Sequence, residues 1–296
     1  MSHTVVRGKP TAAQLYIDGV LDAILVKQGI NPDPTTRATV TFSQIMLHCL
    51  KERPNDEFMT NGATGEVLTN GQLLSNAIPL ARSLTALGAK GKYGILLMRN
   101  HQHTVAIYFA SMFSGMIPFM MSANTTAYEL THFLKLIEPS YIFYDQEFHE
   151  ILQEALRDCP TILTLTVISD RPETLKIFIQ GVASADIDDP IMLLPTSGST
   201  GMPKAAIMTH SGLVAQVATP MYQTQFPTPT ARTLVLTGIE WATFTMFVTA
   251  SVAYHIPIVM TPKKITTEYV IEMLEKYRVR NTNKYFSETC FSKDLP

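Results

Sequence analysis

One short segment constrains the chain more than any other, residues 193–204, which read Leu-Leu-Pro-Thr-Ser-Gly-Ser-Thr-Gly-Met-Pro-Lys. An apolar run at 191–194 enters a turn of small residues. Gly198 and Gly201 carry no Cβ, so backbone N–H groups there can approach an anion closely. Lys204 adds a positive charge at the exit, and four hydroxyl side chains add donors: Thr196, Ser197, Ser199 and Thr200. We therefore predict a site for polyphosphate oxygens at the end of a buried strand.

Two well-known motifs do not describe this turn. A Walker A loop needs Gly-Lys followed by a hydroxyl residue, but Lys204 follows Pro203 and precedes Ala205. A nucleophile elbow needs Gly-x-Ser-x-Gly, which is absent around Ser197 and Ser199. The plain alternatives are an ordinary surface turn and a solvated lysine without a ligand.

The segment resembles the phosphate-binding signature of the adenylate-forming enzymes, which include acyl-CoA synthetases, 4-coumarate–CoA ligases and beetle luciferases. That signature is Thr/Ser-Ser-Gly-Thr/Ser-Thr-Gly-x-Pro-Lys-Gly, usually followed by Thr-His, and Ala205 is the one departure. The matching positions are Thr196, Ser197, Gly198, Ser199, Thr200, Gly201, Pro203, Lys204, Thr209 and His210. The likeness runs over roughly 41–279, with further matches at 84–100, 115–118 and Glu129-Leu130.

The resemblance implies a two-step reaction. A carboxylate attacks the α-phosphate of ATP, and the thiol of coenzyme A then displaces AMP from the acyl adenylate. Mg²⁺ would bridge phosphate oxygens, and positioning and charge stabilisation would supply most of the catalysis. The implied cofactor-binding residues are Thr196, Ser197, Gly198, Ser199, Thr200, Gly201, Lys204 and His210. For His210 the alternative is a histidine at a helix start whose ring hydrogen-bonds to the backbone.

The acid-binding side is less defined. Residues 237–241 occupy the place of the family's aromatic and histidine-bearing substrate motif, without a histidine. The resemblance implies that Glu240 and Trp241 bind the substrate, a fatty, aromatic or other carboxylic acid. A flat ring suits a pocket wall, whereas a buried carboxylate is costly. The alternative is that Trp241 is a core residue and Glu240 is exposed.

Histidines elsewhere do not predict a metal site. His101 and His103 form a His-x-His at a predicted helix start, with no further ligand type clustered nearby. Asn100 stands where the N-cap of that helix belongs. We therefore assign no metal ligand.

Strands and helices alternate along the chain. Apolar periodicity and punctuation predict helices at 41–50, 71–87, 104–113, 128–136, 151–158, 211–217 and 270–277. Strands are predicted at 57–60 and 66–69 as a hairpin, and at 93–98, 117–121, 141–144, 161–169, 191–194, 233–236 and 256–260. Such alternation predicts an α/β fold with a parallel sheet. The resemblance implies the N-terminal domain of adenylate-forming enzymes, layered αβαβα with mostly parallel sheets and truncated in the second sheet.

The resemblance covers only part of the family's length. We expect a lead segment at 1–40 that ends in a turn-rich linker, and a partial domain at 41–296. Within it, 70–210 would form the first subdomain, and 41–69 with 211–296 part of the second. The family's adenine and ribose motifs are not found, nor is the small C-terminal domain with its adenylation lysine, so the catalytic residue stays unknown. We expect weak ATP binding and little ligase activity from the chain alone. The alternative is a non-catalytic interaction fragment whose exposed sheet edge a protein partner covers.

Composition excludes several other classes. The chain of 296 residues is 46% hydrophobic and 16% charged, with a formal net charge of −2. It has no basic stripe for nucleic acid and no apolar run of membrane-spanning length. Cys49, Cys159 and Cys290 are odd in number and widely spaced, as is typical of reduced thiols in an intracellular protein. We predict a cytoplasmic location; the alternative is the peroxisome, although the chain does not end in Ser-Lys-Leu.

Overall fold

The described part of the chain contains two sheets, ten α-helices and the short 3-10 helix Gln146–Phe148. The computed structural model describes residues 10–159, 166–167, 185–196, 201–219, 232–263 and 265–282. The helices are α1 Ala12–Lys27, α2 Pro34–Arg37, α3 Phe42–Glu52, α4 Asn70–Ala86, α5 Gln102–Ser114, α6 Ala127–Ile137, α7 His149–Arg157, α8 His210–Val217, α9 Ala242–Tyr254 and α10 Thr267–Lys276. The strands are β1 Glu57–Asn61, β2 Val67–Thr69, β3 Tyr93–Leu97, β4 Ile117–Met120, β5 Tyr141–Tyr144, β6 Thr166–Val167, β7 Pro190–Thr196, β8 Lys204–Thr209, β9 Arg232–Val235, β10 Ile258–Met260 and β11 Val279–Thr282.

Sheet I has six strands in the order β6-β5-β3-β4-β7-β8. Every pairing is parallel except that of β7 with β8, which is antiparallel. Strands such as β3 are apolar without alternation because helices cover both faces. The predicted α/β class with parallel strands is confirmed. Strand β8 was not predicted, since its Lys-Ala-Ala-Ile-Met-Thr sequence is only partly buried at the sheet edge.

Sheet II has five strands in the order β11-β9-β10-β1-β2. Its strands are parallel except for β2, which forms the predicted hairpin with β1. Sheet I draws its strands from 93–209, whereas sheet II draws them from 57–69 and 232–282. Sheet II is thus assembled from segments that precede and follow the strands of sheet I in the sequence.

The layers follow from which residues pack together. Helices α5 and α9 lie in the core shared by both sheets, with Met120 of β4 and Met59 of β1 in the same cluster. Both helices are apolar on all sides, as buried helices are. Helices α6 and α7 cover the outer face of sheet I, and α10 covers the outer face of sheet II. This is the predicted αβαβα layering.

Threonine side chains define several helix starts. Thr41, Thr69 and Thr126 each form a capping box with the residue three positions on, at α3, α4 and α6. The prediction that Asn100 caps α5 is wrong. The cap is His101, whose Nδ1 accepts from the backbone N–H of Thr104 at 3.3 Å.

The described N-terminal residues contain helix α1, which the periodicity of the sequence did not predict. Helix α1 buries Ile17 and Leu25 completely and packs on α3. The Tyr16 hydroxyl donates to the Ala253 carbonyl at 2.7 Å. The helix escaped prediction because apolar residues occur on its exposed side as well, so no periodic stripe stands out: Leu15 and Val26 are 58% and 63% exposed.

Within the described ranges, no helix is both long and apolar enough to cross a bilayer. Cys49 and Cys159 are buried free thiols. Cys290 and most of the strand predicted at 161–169 lie outside the described residues.

Candidate nucleotide site

The hydroxyl-rich turn joins two paired strands. Thr196, the last residue of β7, pairs with Lys204, the first of β8. The Thr196 hydroxyl lies 3.4 Å from the Lys204 carbonyl oxygen, to which it donates. Gly201 has φ 152°, which favours glycine, and Lys204 is exposed. Ser197, Gly198, Ser199 and Thr200 lie outside the described residues.

The turn emerges at the carboxyl end of the parallel strands. Strand β7 runs parallel to β4, with Phe119 opposite Leu193. Ser122 and Thr196 each follow that pair by three positions, so both lie at the same rim of sheet I. Ligands of open α/β sheets bind at this rim. The described ends of the turn therefore stand where a nucleotide site is expected.

The segment that follows β9 of sheet II is hydrogen-bonded to residues at the rim. The Asn100 amide donates to the Thr237 carbonyl oxygen at 2.8 Å. The Ser122 hydroxyl donates to Oε1 of Glu240 at 3.1 Å. These two bonds join the ends of β3 and β4 to residues 237–241, which follow β9. The structure thus brings Glu240 to the same rim as Thr196 and Lys204.

Glu240 and Trp241 occupy different environments. Glu240 is partly buried and folds over Gly238, where an added Cβ would lie 2.2 Å from Oε2 of Glu240. Trp241 is 61% exposed, so it is not a core residue. An exposed ring beside a hydrogen-bonded carboxylate gives the rim one flat apolar surface and one anionic group.

The structure does not bring His210 together with the turn. Thr209 pairs with Pro190 at the far end of the β7–β8 hairpin, about 17 Å of strand from Lys204 at about 3.4 Å per residue. His210 is 4% exposed, and its Nδ1 has no hydrogen-bond partner among the described residues. Burial lowers the pKa of His210, and Asp189 opposes that effect only in part.

Both ring nitrogens of His101 take part in hydrogen bonds. His101 Nδ1 accepts from the Thr104 backbone, so Nε2 carries the hydrogen and donates to Asp145 at 2.9 Å. The described residues contain no group of three or more His, Cys, Asp or Glu side chains placed to hold a metal ion. His101 thus acts as a helix cap tied to the end of β5.

Two site residues escaped sequence analysis. Ser122 binds Glu240, and His132 on α6 lies 3.0 Å from the Pro203 carbonyl oxygen, next to Lys204. The signal for Ser122 was its position directly after a predicted strand. No local pattern indicates His132, because its partner is 71 positions away.

Comparison with known proteins agrees with the fold. The description "AMP-binding enzyme" belongs to a family model that matches residues 47–283. YdaB of Bacillus subtilis (strain 168), a provisionally named acyl–CoA ligase, is 30% identical over 188 residues, which cover 60% of this chain and 37% of that protein. The 4-coumarate–CoA ligase CCL1 of Humulus lupulus is 28% identical over 184 residues, covering 57% and 32%.

Solved structures share the architecture. The luciferase-like enzyme of the Zophobas morio mealworm superposes with a TM-score of 0.76 at 16% identity, covering 87% of this chain and 63% of that one. The o-succinylbenzoate–CoA synthetase of Bacillus subtilis in complex with ATP and magnesium ion superposes with a TM-score of 0.70 at 16% identity, covering 85% and 66%.

These findings define an α/β protein of two packed sheets with a hydroxyl- and glycine-rich turn at the rim of one sheet. The chain belongs to the AMP-binding enzyme family. It spans about a third of the length of the curated relatives it matches.

Proposed function

We propose that the chain carries the ATP-binding part of an ATP-dependent acid–CoA ligase, which activates a carboxylic acid as an acyl adenylate. The observation that carries this proposal is the position of the turn between Thr196 and Lys204 at the carboxyl rim of sheet I. Family membership and relatives named as acid–CoA ligases support it.

The rim suits a polyphosphate with its metal. Lys204 supplies a charge, Thr196 a hydroxyl, and the turn supplies backbone N–H groups near Gly201. By resemblance, Ser197, Gly198, Ser199 and Thr200 complete this contact. Mg²⁺ keeps several waters and binds mainly to phosphate oxygens. These residues would hold the β- and γ-phosphates while the α-phosphate is attacked.

Glu240 and Trp241 are proposed to contact the acid. The ring of Trp241 is exposed and available for stacking or apolar contact. Glu240 already accepts one hydrogen bond from Ser122, and its remaining acceptor positions favour a substrate that carries a donor. The o-succinylbenzoate and coumarate enzymes among the relatives act on acids that carry an aromatic ring. We propose that the thiol of coenzyme A accepts the acyl group from the acyl adenylate.

Calorimetric titration with ATP and Mg²⁺ tests the nucleotide site. Lys204→Met should weaken binding at least tenfold because a charged hydrogen bond to phosphate is lost, worth about 1.5–3 kcal/mol. Thr196→Val should weaken it less. Lys51→Met, at an exposed lysine of α3, should bind as the wild type does. Equal affinity of all three variants would rule out the proposed site.

A non-catalytic nucleotide-binding or interaction fragment is the second candidate. The observation that favours it is that β11 is one of the two edge strands of sheet II among the described residues, and a protein partner would pair with it. Pyrophosphate release with a panel of carboxylic acids decides the matter. Turnover at rates typical of complete ligases refutes the second candidate, whereas binding without turnover supports it.

The compartment is a separate proposal. We propose that the protein acts in the cytoplasm, with the peroxisome as the alternative. Fluorescence imaging of a tagged chain beside a peroxisomal marker distinguishes the two.

A further inference from the structure

A histidine on helix α6 reaches the exit of the hydroxyl-rich turn. Nε2 of His132 lies 3.0 Å from the carbonyl oxygen of Pro203, which directly precedes Lys204. A carbonyl oxygen only accepts, so the hydrogen of this bond is on Nε2. The bond joins the outer helical layer of sheet I to a turn that leaves the rim of the same sheet.

The ring of His132 is presented by a firmly held helix. Its neighbour Phe133 is 3% exposed and packs on Phe119 of β4, with ring centroids 4.6 Å apart. The rings of His132 and Phe133 meet edge to face at 5.2 Å. The capping box of Thr126 and Glu129 fixes the first turn of α6. Helix α6 therefore holds the imidazole in a defined position.

The contact falls at a position that the strand pairing does not cover. The pairing of β7 with β8 ends at Thr196 and Lys204, and Pro203 lies one residue outside it. Proline has no backbone N–H, so its carbonyl is its sole backbone hydrogen-bonding group. The peptide between Pro203 and Lys204 is planar. Holding its oxygen therefore orients that plane and the direction in which Lys204 leaves the turn.

We propose that His132 is a positioning residue for nucleotide binding, which anchors the exit of the turn so that Lys204 is preorganised towards the phosphates. The proposal rests on the proposed function, since Lys204 must contact phosphate for its orientation to matter. Preorganisation raises affinity because the loop is ordered before the ligand arrives. His132 itself touches no phosphate in this scheme.

The test compares two variants of the full 296-residue chain. His132→Leu removes the donor but keeps an apolar side chain beside Phe133. His132→Gln keeps an N–H donor at a similar distance from the backbone. Each is titrated with ATP and Mg²⁺ and with inorganic triphosphate. Hydrogen exchange of the segment 201–206 is followed without ligand, and thermal unfolding is recorded for both variants.

For His132→Leu we expect affinity for both ligands to fall about 3- to 10-fold and the segment 201–206 to exchange faster. His132→Gln should restore most of both losses, which a contact that only stabilises the fold would not require. Wild-type affinity and exchange in a folded His132→Leu protein overturn the proposal and leave the nucleotide site intact. If the wild type binds neither ATP with Mg²⁺ nor inorganic triphosphate, the proposed function is overturned, and with it the role of His132. If His132→Leu does not fold, the test rests on His132→Gln. Its affinity must then stay within about 3-fold of the wild type, and a larger loss overturns the proposal.

Discussion

The Asn100 side chain donates a hydrogen bond to the Thr237 carbonyl oxygen at 2.8 Å, and thereby ties the end of β3 in sheet I to the segment after β9 in sheet II. Asn100 is 9% exposed, so water cannot easily replace this bond. The bond holds the segment that carries Glu240 and Trp241 against the rim with the hydroxyl-rich turn. The relative position of the proposed nucleotide and acid contacts thus depends on this amide together with the Ser122–Glu240 hydrogen bond.

Replacing this amide should cost stability. Asn100→Ala leaves the Thr237 carbonyl without its donor, and we expect the free energy of unfolding to fall by about 1–3 kcal/mol. Urea denaturation measures this loss. Asn124→Ala, at an exposed asparagine, serves as the control and should change it by less than about 0.5 kcal/mol. A loss for Asn100→Ala no larger than that of the control would contradict the structural role.

The N-terminal helix should contribute to the same cooperative unit. Ile17 of α1 is fully buried in the core that contains both sheets. Ile17→Ala should lower the free energy of unfolding by about 2–5 kcal/mol, because a cavity replaces buried methyl groups. Leu15→Ala, at a 58% exposed position of the same helix, should be nearly neutral. Similar losses at the two positions would mean that α1 does not pack as described.

An ion pair in sheet II should make stability depend on acid. Arg232 of β9 donates two hydrogen bonds to Glu57 of β1, at 3.0 and 2.7 Å, across the intervening β10. Burial raises the pKa of Glu57, but the bonds from Arg232 and Thr60 outweigh it and leave the pKa below its usual value. The pair therefore stabilises the fold above the unfolded pKa of about 4.3 and loses that contribution as pH falls through the lower folded value.

Arg232→Met should accordingly destabilise the protein by about 1–3 kcal/mol at pH 7 and by less near pH 3. Urea denaturation at both pH values, with Glu57→Gln and the double variant, closes a double-mutant cycle. A coupling energy near zero at pH 7 would show that the two side chains do not stabilise each other.

Buried His210 should make stability fall on mild acidification. Its folded pKa is depressed chiefly by burial, with Asp189 opposing, so the unfolded chain takes up a proton more readily. The stabilising contribution is complete above the unfolded pKa of about 6.5 and declines as pH falls from there towards the folded pKa. His210→Gln should flatten the change between pH 7.5 and 5 in urea denaturation. His48 and His255, whose pKa values are also lowered by burial, leave a residual slope. An unchanged slope in the variant would refute the assignment.

Local sequence signals predicted much of the fold and one end of the site. The unbroken apolar run of β3 and the apolar periodicity of α4 act over a few residues, and both elements were predicted from the sequence. Strand β8 was missed because an edge strand needs little apolar sequence. The bonds of Asn100 to Thr237 and of Ser122 to Glu240 join positions 137 and 118 apart, so only the packed layers create them.

The discontinuous origin of sheet II has a consequence for biosynthesis. Met59 of β1 pairs with Ile258 of β10, which the ribosome adds 199 residues later. At about 5–20 residues per second, the nascent β1–β2 hairpin waits roughly 10–40 s for its parallel neighbour. During that interval the edge of β1 that later pairs with β10 is unpaired, and an unpaired edge can pair with another extended peptide.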